Sequence, residues 1–178
     1  MRQKIDQQIL LSHLERTLVI IKPDGVFRGI SMKVLSRFER AGLKLVGLKL
    51  IKIDREFAQK HYTYEDIAVR HGDNIRNQLL DFITEGPVIA ALIQGIKAVE
   101  TVRKICGSTE PVKAAPGTIR GDYCHHSYSF CNDANRSIRN VIHASASLEE
   151  AAREVKLWFN DSEIFDYHRS DQEEHQFF

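Results

Sequence analysis

The sequence predicts an α+β fold in which helices cover an antiparallel four-stranded sheet, a sandwich of split βαβ type. Three observations predict it. Four short runs with strand character recur at residues 17–22, 43–53, 87–93 and 137–143. Segments with helical spacing lie between and after them, at 31–41, 55–62, 73–84, 96–106 and 147–158. A chain of 178 residues with 43% hydrophobic and 28% charged residues suits one globular domain with a full core.

Taken in order, residues 3–14 read as a short amphipathic helix with Ile5, Ile9, Leu10 and Leu14 on one side. Residues 1–14 would thus be an extension ahead of a domain spanning 15–168. Leu18-Val19-Ile20-Ile21 is a buried-strand run that hands Lys22 to Lys22-Pro23-Asp24-Gly25, a sequence punctuated as a tight turn. Arg103 lies in the helical stretch ending at Cys106, which Gly107 would cap, and Thr109 follows in the next loop. Pro116-Gly117-Thr118-Ile119-Arg120-Gly121-Asp122 is a glycine-punctuated loop that carries a second arginine. Asn140-Val141-Ile142 would bring His143 out of a short buried strand. Ser147 with Glu150 three residues on reads as a capping box, and Leu148, Ala151, Ala152, Val155 and Trp158 continue as a helix. Residues 169–178 form a tail that is polar until Phe177-Phe178.

His143 would sit just before the positive end of that last helix. Such a field disfavours imidazolium and favours an anion beside the ring. A neutral imidazole next to an anion site can act as a nucleophile toward phosphorus. Phosphoryl transfer further needs cations and fixed donors around the phosphates, and Lys22, Arg103 and Arg120 are candidates from three separate segments. Lys22 and Arg120 are expected in solvent-facing loops. The chain has neither a P-loop pattern nor a kinase-type glycine loop with a downstream His-Arg-Asp. A covalent histidine intermediate is the natural substitute for those devices.

The residues that carry this reading resemble the nucleoside diphosphate kinase family. Glu15-Arg16-Thr17 leading to Ile21-Lys22-Pro23-Asp24-Gly25, then Arg37-Phe38-Glu39, is similar to the start of the family. His61-Tyr62, Gly86-Pro87-Val88, the 116–122 loop, Asn140-Val141-Ile142-His143-Ala144-Ser145 and Leu157-Trp158-Phe159 follow in the family's order. The resemblance implies a ferredoxin-like fold, the same arrangement of elements. It implies that His143 takes the γ-phosphate of a nucleoside triphosphate, typically ATP, and passes it to a diphosphate in a ping-pong sequence. Glu154, eleven residues on, would orient the histidine; Ala151, Val155 and Trp158 put its side of the helix near the core boundary. Lys22, Arg103, Thr109 and Arg120 match the family's phosphate contacts, and Asn140 its contact to the sugar and phosphate end. Tyr62 matches a tyrosine that closes on the histidine and lysine, and Ser145 a serine beside the nucleophile. Mg2+ would bridge the nucleotide's own phosphates, with no protein side chain as ligand. A homo-oligomer, hexamer or tetramer, is also implied.

Three departures stand out. Ala146 occupies a position where the family usually carries aspartate, a charge worth about 0.3–1 kcal/mol at a helix start. The stretch from Asp122 to Asn140 is longer than the family's by about ten residues, an insertion falling at about 123–136. Its Cys124, His125, His126 and Cys131 fit no standard zinc spacing, so the insertion reads as a flap or added edge beside the nucleotide cleft. The family's base-stacking phenylalanine has no aromatic counterpart: counting back from Gly86 reaches Ile75, and counting on from Tyr62 reaches Arg70.

A net charge of +1 without a basic tract argues against nucleic acid as a main partner. A sheet that binds RNA would want a Lys/Arg-Gly-Phe/Tyr-Gly/Ala-Phe strand motif, and none is present. No apolar stretch approaches a membrane span and the N-terminus lacks a signal-peptide core, so no membrane partner is expected. Three cysteines without framework spacing suit the reducing cytoplasm. The competing reading is a catalytically weak nucleotide-binding relative with a regulatory or assembly role.

Overall fold

Consecutive apolar residues at 18–21 and 88–93 give two strands an apolar face on each side, so the sheet needs cover on both. The computed structural model describes residues 7–169. Helix α1 (Gln7–His13) leads into β1 (Leu14–Ile21), the short α2 (Pro23–Phe27), α3 (Ser31–Arg40) and β2 (Lys44–Ile51). Then come α4 (Arg55–His61), a π-helical turn at Tyr64–Ala68, α5 (Val69–His71), α6 (Asp73–Thr84) and β3 (Val88–Ile96). The second half holds α7 (Ala98–Cys106), α8 (Ile119–Tyr123), α9 (Tyr128–Asp133), β4 (Ile142–Ala144) and α10 (Leu148–Trp158).

The sheet order is β2-β3-β1-β4, and every neighbouring pair is antiparallel. This is the ferredoxin-like α+β arrangement the sequence predicts. On one face Val19, Ile21, Ile89, Ala91 and Ile93 pack with Val34, Leu35 and Phe38 of α3 and Val102 and Cys106 of α7. On the other face Leu18, Ile20, Ala90 and Leu92 meet Ala58 of α4, Leu80 and Ile83 of α6, and Trp158 of α10. His143 pairs with Ile20 across β4 and β1, which puts its ring on the face shared with α4 and α10.

Several boundaries differ from the sequence reading, each for a local reason. The fourth strand does not begin at 137, because Val141 adopts φ +65° and Ile142 N–H bonds back to Asn140 C=O at 2.7 Å. That is a γ-turn of the rare positive-φ kind, costly for a β-branched residue. Distant groups hold it: Lys22 N–H donates to Val141 C=O at 2.8 Å and Val141 N–H to Asp24 Oδ2 at 3.0 Å. Pro23 opens α2 where a tight turn is predicted, with its missing N–H at a position that needs none. The predicted 3–14 helix is shorter, since Leu14 already belongs to β1; Ile9 is exposed, and residues 3–6 lie outside the described residues. In α10 the buried face is Ala151, Glu154 and Trp158, while Leu148 and Ala152 face solvent. The insertion contributes α9, a helix rather than an edge strand, and Asn135 after it accepts from Gln78 of α6 at 2.9 Å. Most of the 169–178 tail lies outside the described residues.

No helix among the described residues is long and apolar enough to cross a membrane.

Candidate active site

Four segments converge on His143. β4 ends at the mouth of α10, which Ser147 caps by accepting the Glu150 N–H at 3.1 Å. The capping box is displaced by one residue from the expected one: the Glu150 carboxylate accepts from Ala146 N–H at 2.9 Å rather than from Ser147. One turn further, Glu154 is 1% exposed and directed at the sheet. His143 Nε2 lies 2.9 Å from Glu154 Oε1 and 3.1 Å from Oε2. Ser145 Oγ donates to Glu154 Oε2 at 2.6 Å and accepts from Leu18 N–H at 3.3 Å, tying the carboxylate to β1.

Burial and Lys22 push the His143 imidazole down to about 3. Its ring is therefore neutral near pH 7, and a neutral ring facing a carboxylate through Nε2 carries its proton there. That tautomer leaves Nδ1 with a lone pair and, among the described residues, no hydrogen-bond partner. Burial raises Glu154, against the pull of His61, the Ser145 hydroxyl and Arg153.

His61, at the C-terminal end of α4, completes the buried wall. Its ring stands edge-on to His143 with centroids 4.6 Å apart, and Trp158 Nε1–H donates to its Nδ1 at 3.3 Å. The same Nδ1 is 3.3 Å from Glu154 Oε1, and Nε2 is buried without a partner. Burial and His143 bring its pKa to about 3. In the sequence His61 stands out only as part of His61-Tyr62. The available signal was a histidine at the end of a helix whose Phe57 and Ala58 face the core. Tyr62, next along, is buried with its ring centroid 6.2 Å from His143, and burial followed by Glu154 raises its phenol.

The cations come from the residue after β1 and from α8. Lys22 and Arg120 are not in solvent-facing positions as expected; they are 5% and 7% exposed. Lys22 lies over the Phe82 ring and donates to Asn140 Oδ1 at 2.8 Å, while Asn140 Nδ2 donates to Thr109 C=O at 2.9 Å. Thr109 thus joins the cluster through its backbone, with an exposed side chain. Arg120 donates to Gly107 C=O at 2.7 Å and to Ile142 C=O at 2.8 Å, leaving a second N–H on each terminal nitrogen. Gly107, at φ +79°, turns that carbonyl out of α7 as the predicted helix cap. Arg103 is exposed on α7 and contributes to the field that keeps His143 neutral. Burial first, and then Arg120, lower the Lys22 ammonium to about 8.

Lys22, Arg120, Asn140, Tyr62, Ser145, Glu154 and His143 are therefore brought together, with Thr109 and Arg103 at the rim. Arg70 is exposed in α5 and Ile75 half-buried at the start of α6, and neither is bonded to the cluster. Among the described residues one group of three possible metal ligands occurs, His61, His143 and Glu154. His61 Nδ1, His143 Nε2 and the Glu154 oxygens already engage one another, Ser145 and Trp158, and a single carboxylate is no oxygen cage for a hard cation.

A ring nitrogen set in a tautomer by a buried carboxylate, in the field of a buried lysine and arginine, is an arrangement suited to an anionic electrophile. Comparison with known proteins agrees. The family model for nucleoside diphosphate kinase matches residues 15–164. A nucleoside diphosphate kinase of Borreliella burgdorferi is 49% identical over 164 residues, covering 92% of this chain and 98% of the relative. One from Pyrococcus furiosus is 49% identical over 157 residues, covering 88% of this chain and 90% of the relative. A solved structure described as a transition-state mimic of the Borrelia burgdorferi enzyme, with bound vanadate and ADP, superposes with a TM-score of 0.90 at 49% identity. It covers 93% of this chain and 99% of its own. The chain belongs to the nucleoside diphosphate kinase family of phosphotransferase enzymes.

Proposed function

We propose that the protein moves the γ-phosphate of a nucleoside triphosphate, typically ATP, to a nucleoside diphosphate through a phosphohistidine at His143. One observation carries the reading: Glu154 occupies Nε2 and leaves Nδ1 of a neutral ring as the free nucleophile. In the first half-reaction the Nδ1 lone pair forms a bond to the γ-phosphorus, and the bond from that phosphorus to the bridging oxygen breaks. The nucleoside diphosphate leaves with the electron pair. The phosphorylated ring gains positive character, which the Glu154 carboxylate offsets through the Nε2 proton. A second diphosphate reverses the step. Lys22 and Arg120 are assigned to the transferring group's equatorial oxygens, Arg103 and Thr109 to the distal phosphates, Asn140 to the sugar and phosphate end, and Tyr62 to closing the site over His143 and Lys22. Vanadate with ADP in the Borrelia relative supports phosphoryl transfer in this fold. The Mg2+ of a magnesium nucleotide belongs to the substrate, since the site offers cations, amides and hydroxyls rather than free carboxylates.

The test is to incubate the protein with γ-labelled ATP and no acceptor. The label should be acid-labile and base-stable, and an added diphosphate should discharge it. A base-labile, acid-stable label, or none, would sink the mechanism.

A pH profile follows from Lys22. As a base whose pKa is depressed to about 8, it loses its charge as pH rises through that value in the free enzyme. kcat/KM should fall on that alkaline side, and in Lys22→Arg the break near 8 should vanish. A break that persists in the variant belongs to another group.

Base selectivity should be slight, because no aromatic stands at Arg70 or Ile75 to stack on the base. Steady-state efficiencies for purine and pyrimidine diphosphates should agree within about tenfold, or ~1.4 kcal/mol. A hundredfold preference would point to the insertion at 123–136 as a reader of the base.

The weak-relative alternative draws no support from the relatives, which are named nucleoside diphosphate kinases. We further place the protein in the cytoplasm as a homo-oligomer, hexamer or tetramer: its three cysteines are unpaired, and the family resemblance implies the assembly. The domain is assigned to 15–168, flanked by the 1–14 extension and the 169–178 tail.

A further inference from the structure

The insertion at 123–136 is bonded at both ends to segments that frame the site. At its far end Asn135 adopts φ +47°, a left-handed conformation that asparagine tolerates better than most residues. There its side-chain carbonyl accepts from Asn74 Nδ2 at 3.2 Å and from Gln78 Nε2 at 2.9 Å. Asn74 and Gln78 stand one turn apart at the start of α6, so a single oxygen spans the opening of that helix. At the near end His126 C=O accepts from Val112 N–H at 3.1 Å. The buried Glu110 carboxylate accepts from Tyr128 N–H, the first of α9, at 2.9 Å.

Both anchors hold parts of the site. Between Asn74 and Gln78 lie Ile75, the position reached for the base, and Arg76, whose Nε donates to Tyr62 C=O at 2.9 Å. Beside Glu110 is Thr109, whose C=O accepts from Asn140 Nδ2 at 2.9 Å, and Asn140 in turn accepts from Lys22. The link between the anchors is short and internally bonded: α9 is followed by a turn in which Arg136 N–H donates to the C=O of buried Cys131 at 3.0 Å. We infer that Asn135 is a positioning residue for the nucleotide: through it the insertion braces the first turn of α6 against the 109–112 segment. The brace acts without touching the base. A wall held in place beforehand need not be ordered when nucleotide arrives, and affinity gains accordingly. The inference rests on nucleotide binding at this site, and not on the phosphohistidine.

Asn135→Gly keeps the left-handed backbone and removes the acceptor, whereas Asn135→Asp keeps an oxygen for both amides. The readouts are ADP and UDP release by stopped flow, hydrogen exchange over residues 76–80 of α6, and single-turnover labelling from γ-labelled ATP. Asn135→Gly should release ADP about threefold to tenfold faster, the scale of one modest hydrogen bond. UDP release should quicken by the same factor to within about twofold, since the brace reads no base. Exchange at 76–80 should rise by roughly fivefold. Labelling at saturating ATP should stay within about twofold of the parent, because neither Lys22 nor Arg120 stands on α6. Asn135→Asp should recover most of the parent's affinity. A double Asn74→Ala, Gln78→Ala variant should match Asn135→Gly, and adding Asn135→Gly to it should change nothing further. Parent-like release and exchange in Asn135→Gly would overturn the inference. So would additive losses, an Asp variant no better than Gly, or a loss confined to one base. A parent that takes no label, with ADP release still governed by Asn135, would sink the covalent mechanism and leave the brace standing.

Discussion

His143→Asn is expected to lose phosphate exchange between ATP and a second diphosphate by about 10⁴-fold or more, the scale seen when a covalent nucleophile is removed. Asparagine is the informative substitution. Its amide can still donate toward Glu154, so the buried carboxylate keeps a partner in place of Nε2. His143 is also 15% exposed at its side chain and sits on the outermost strand, so its removal opens no large cavity. Thermal unfolding should then shift by no more than about 4 °C, about 1 kcal/mol for a chain of this size. Exchange within a hundredfold of the parent would remove His143 from the chemistry. The check is a coupled exchange assay beside a thermal melt on the same preparation.

Arg120→Ala has the next largest effect, and it should act twice. Loss of a cation that stabilises charge on the transferring group lowers turnover by about 10²–10³-fold. The same change strips partners from Gly107 C=O and Ile142 C=O, which Arg120 holds at 2.7 and 2.8 Å. Each stranded carbonyl costs about 1–3 kcal/mol, so the melting temperature should drop by roughly 5–15 °C. Arg120→Lys separates the two roles, since a point charge cannot span both carbonyls and still serve phosphate. It should recover part of the turnover and little of the stability. A melt unchanged in Arg120→Ala would mean the fork is not structural.

The parts of this molecule legible in the sequence are those in which one segment carries its own period. Helices α3, α4, α6, α7 and α10 and strands β1 to β3 lie within a few residues of their expected places. Helices α2, α8 and α9 are too short for a 3.6-residue repeat to register; only a first-turn proline marks α2, and the Thr118 and Ser127 caps mark α8 and α9. The start of β4 was out of reach for another reason: the γ-turn at Val141 is held by Lys22 and Asp24, more than a hundred residues away. Burial of Lys22 and Arg120 failed to register for the same cause. A lysine after a strand reads as exposed until Phe82 and Asn140 close over it. At the site, motif order reached His143, Glu154 and Asn140, whereas the place of His61 against His143 and Trp158 depends on neighbours that only the folded chain supplies.

The strained turn at Val141 has a bearing on how the molecule acquires activity. Its clasp joins the second residue cluster of the chain to one near its end, so loop closure between them must precede any functional geometry. A nascent chain released from synthesis only through β3 has no partner for Asp24 and cannot hold nucleotide as the mature site does. Local opening of β4, three residues paired to a single neighbour, would likewise dissolve the clasp before the core loosens. Under gradual denaturation the enzyme should therefore fall silent ahead of its own unfolding, and hydrogen exchange at Val141 N–H would mark the moment.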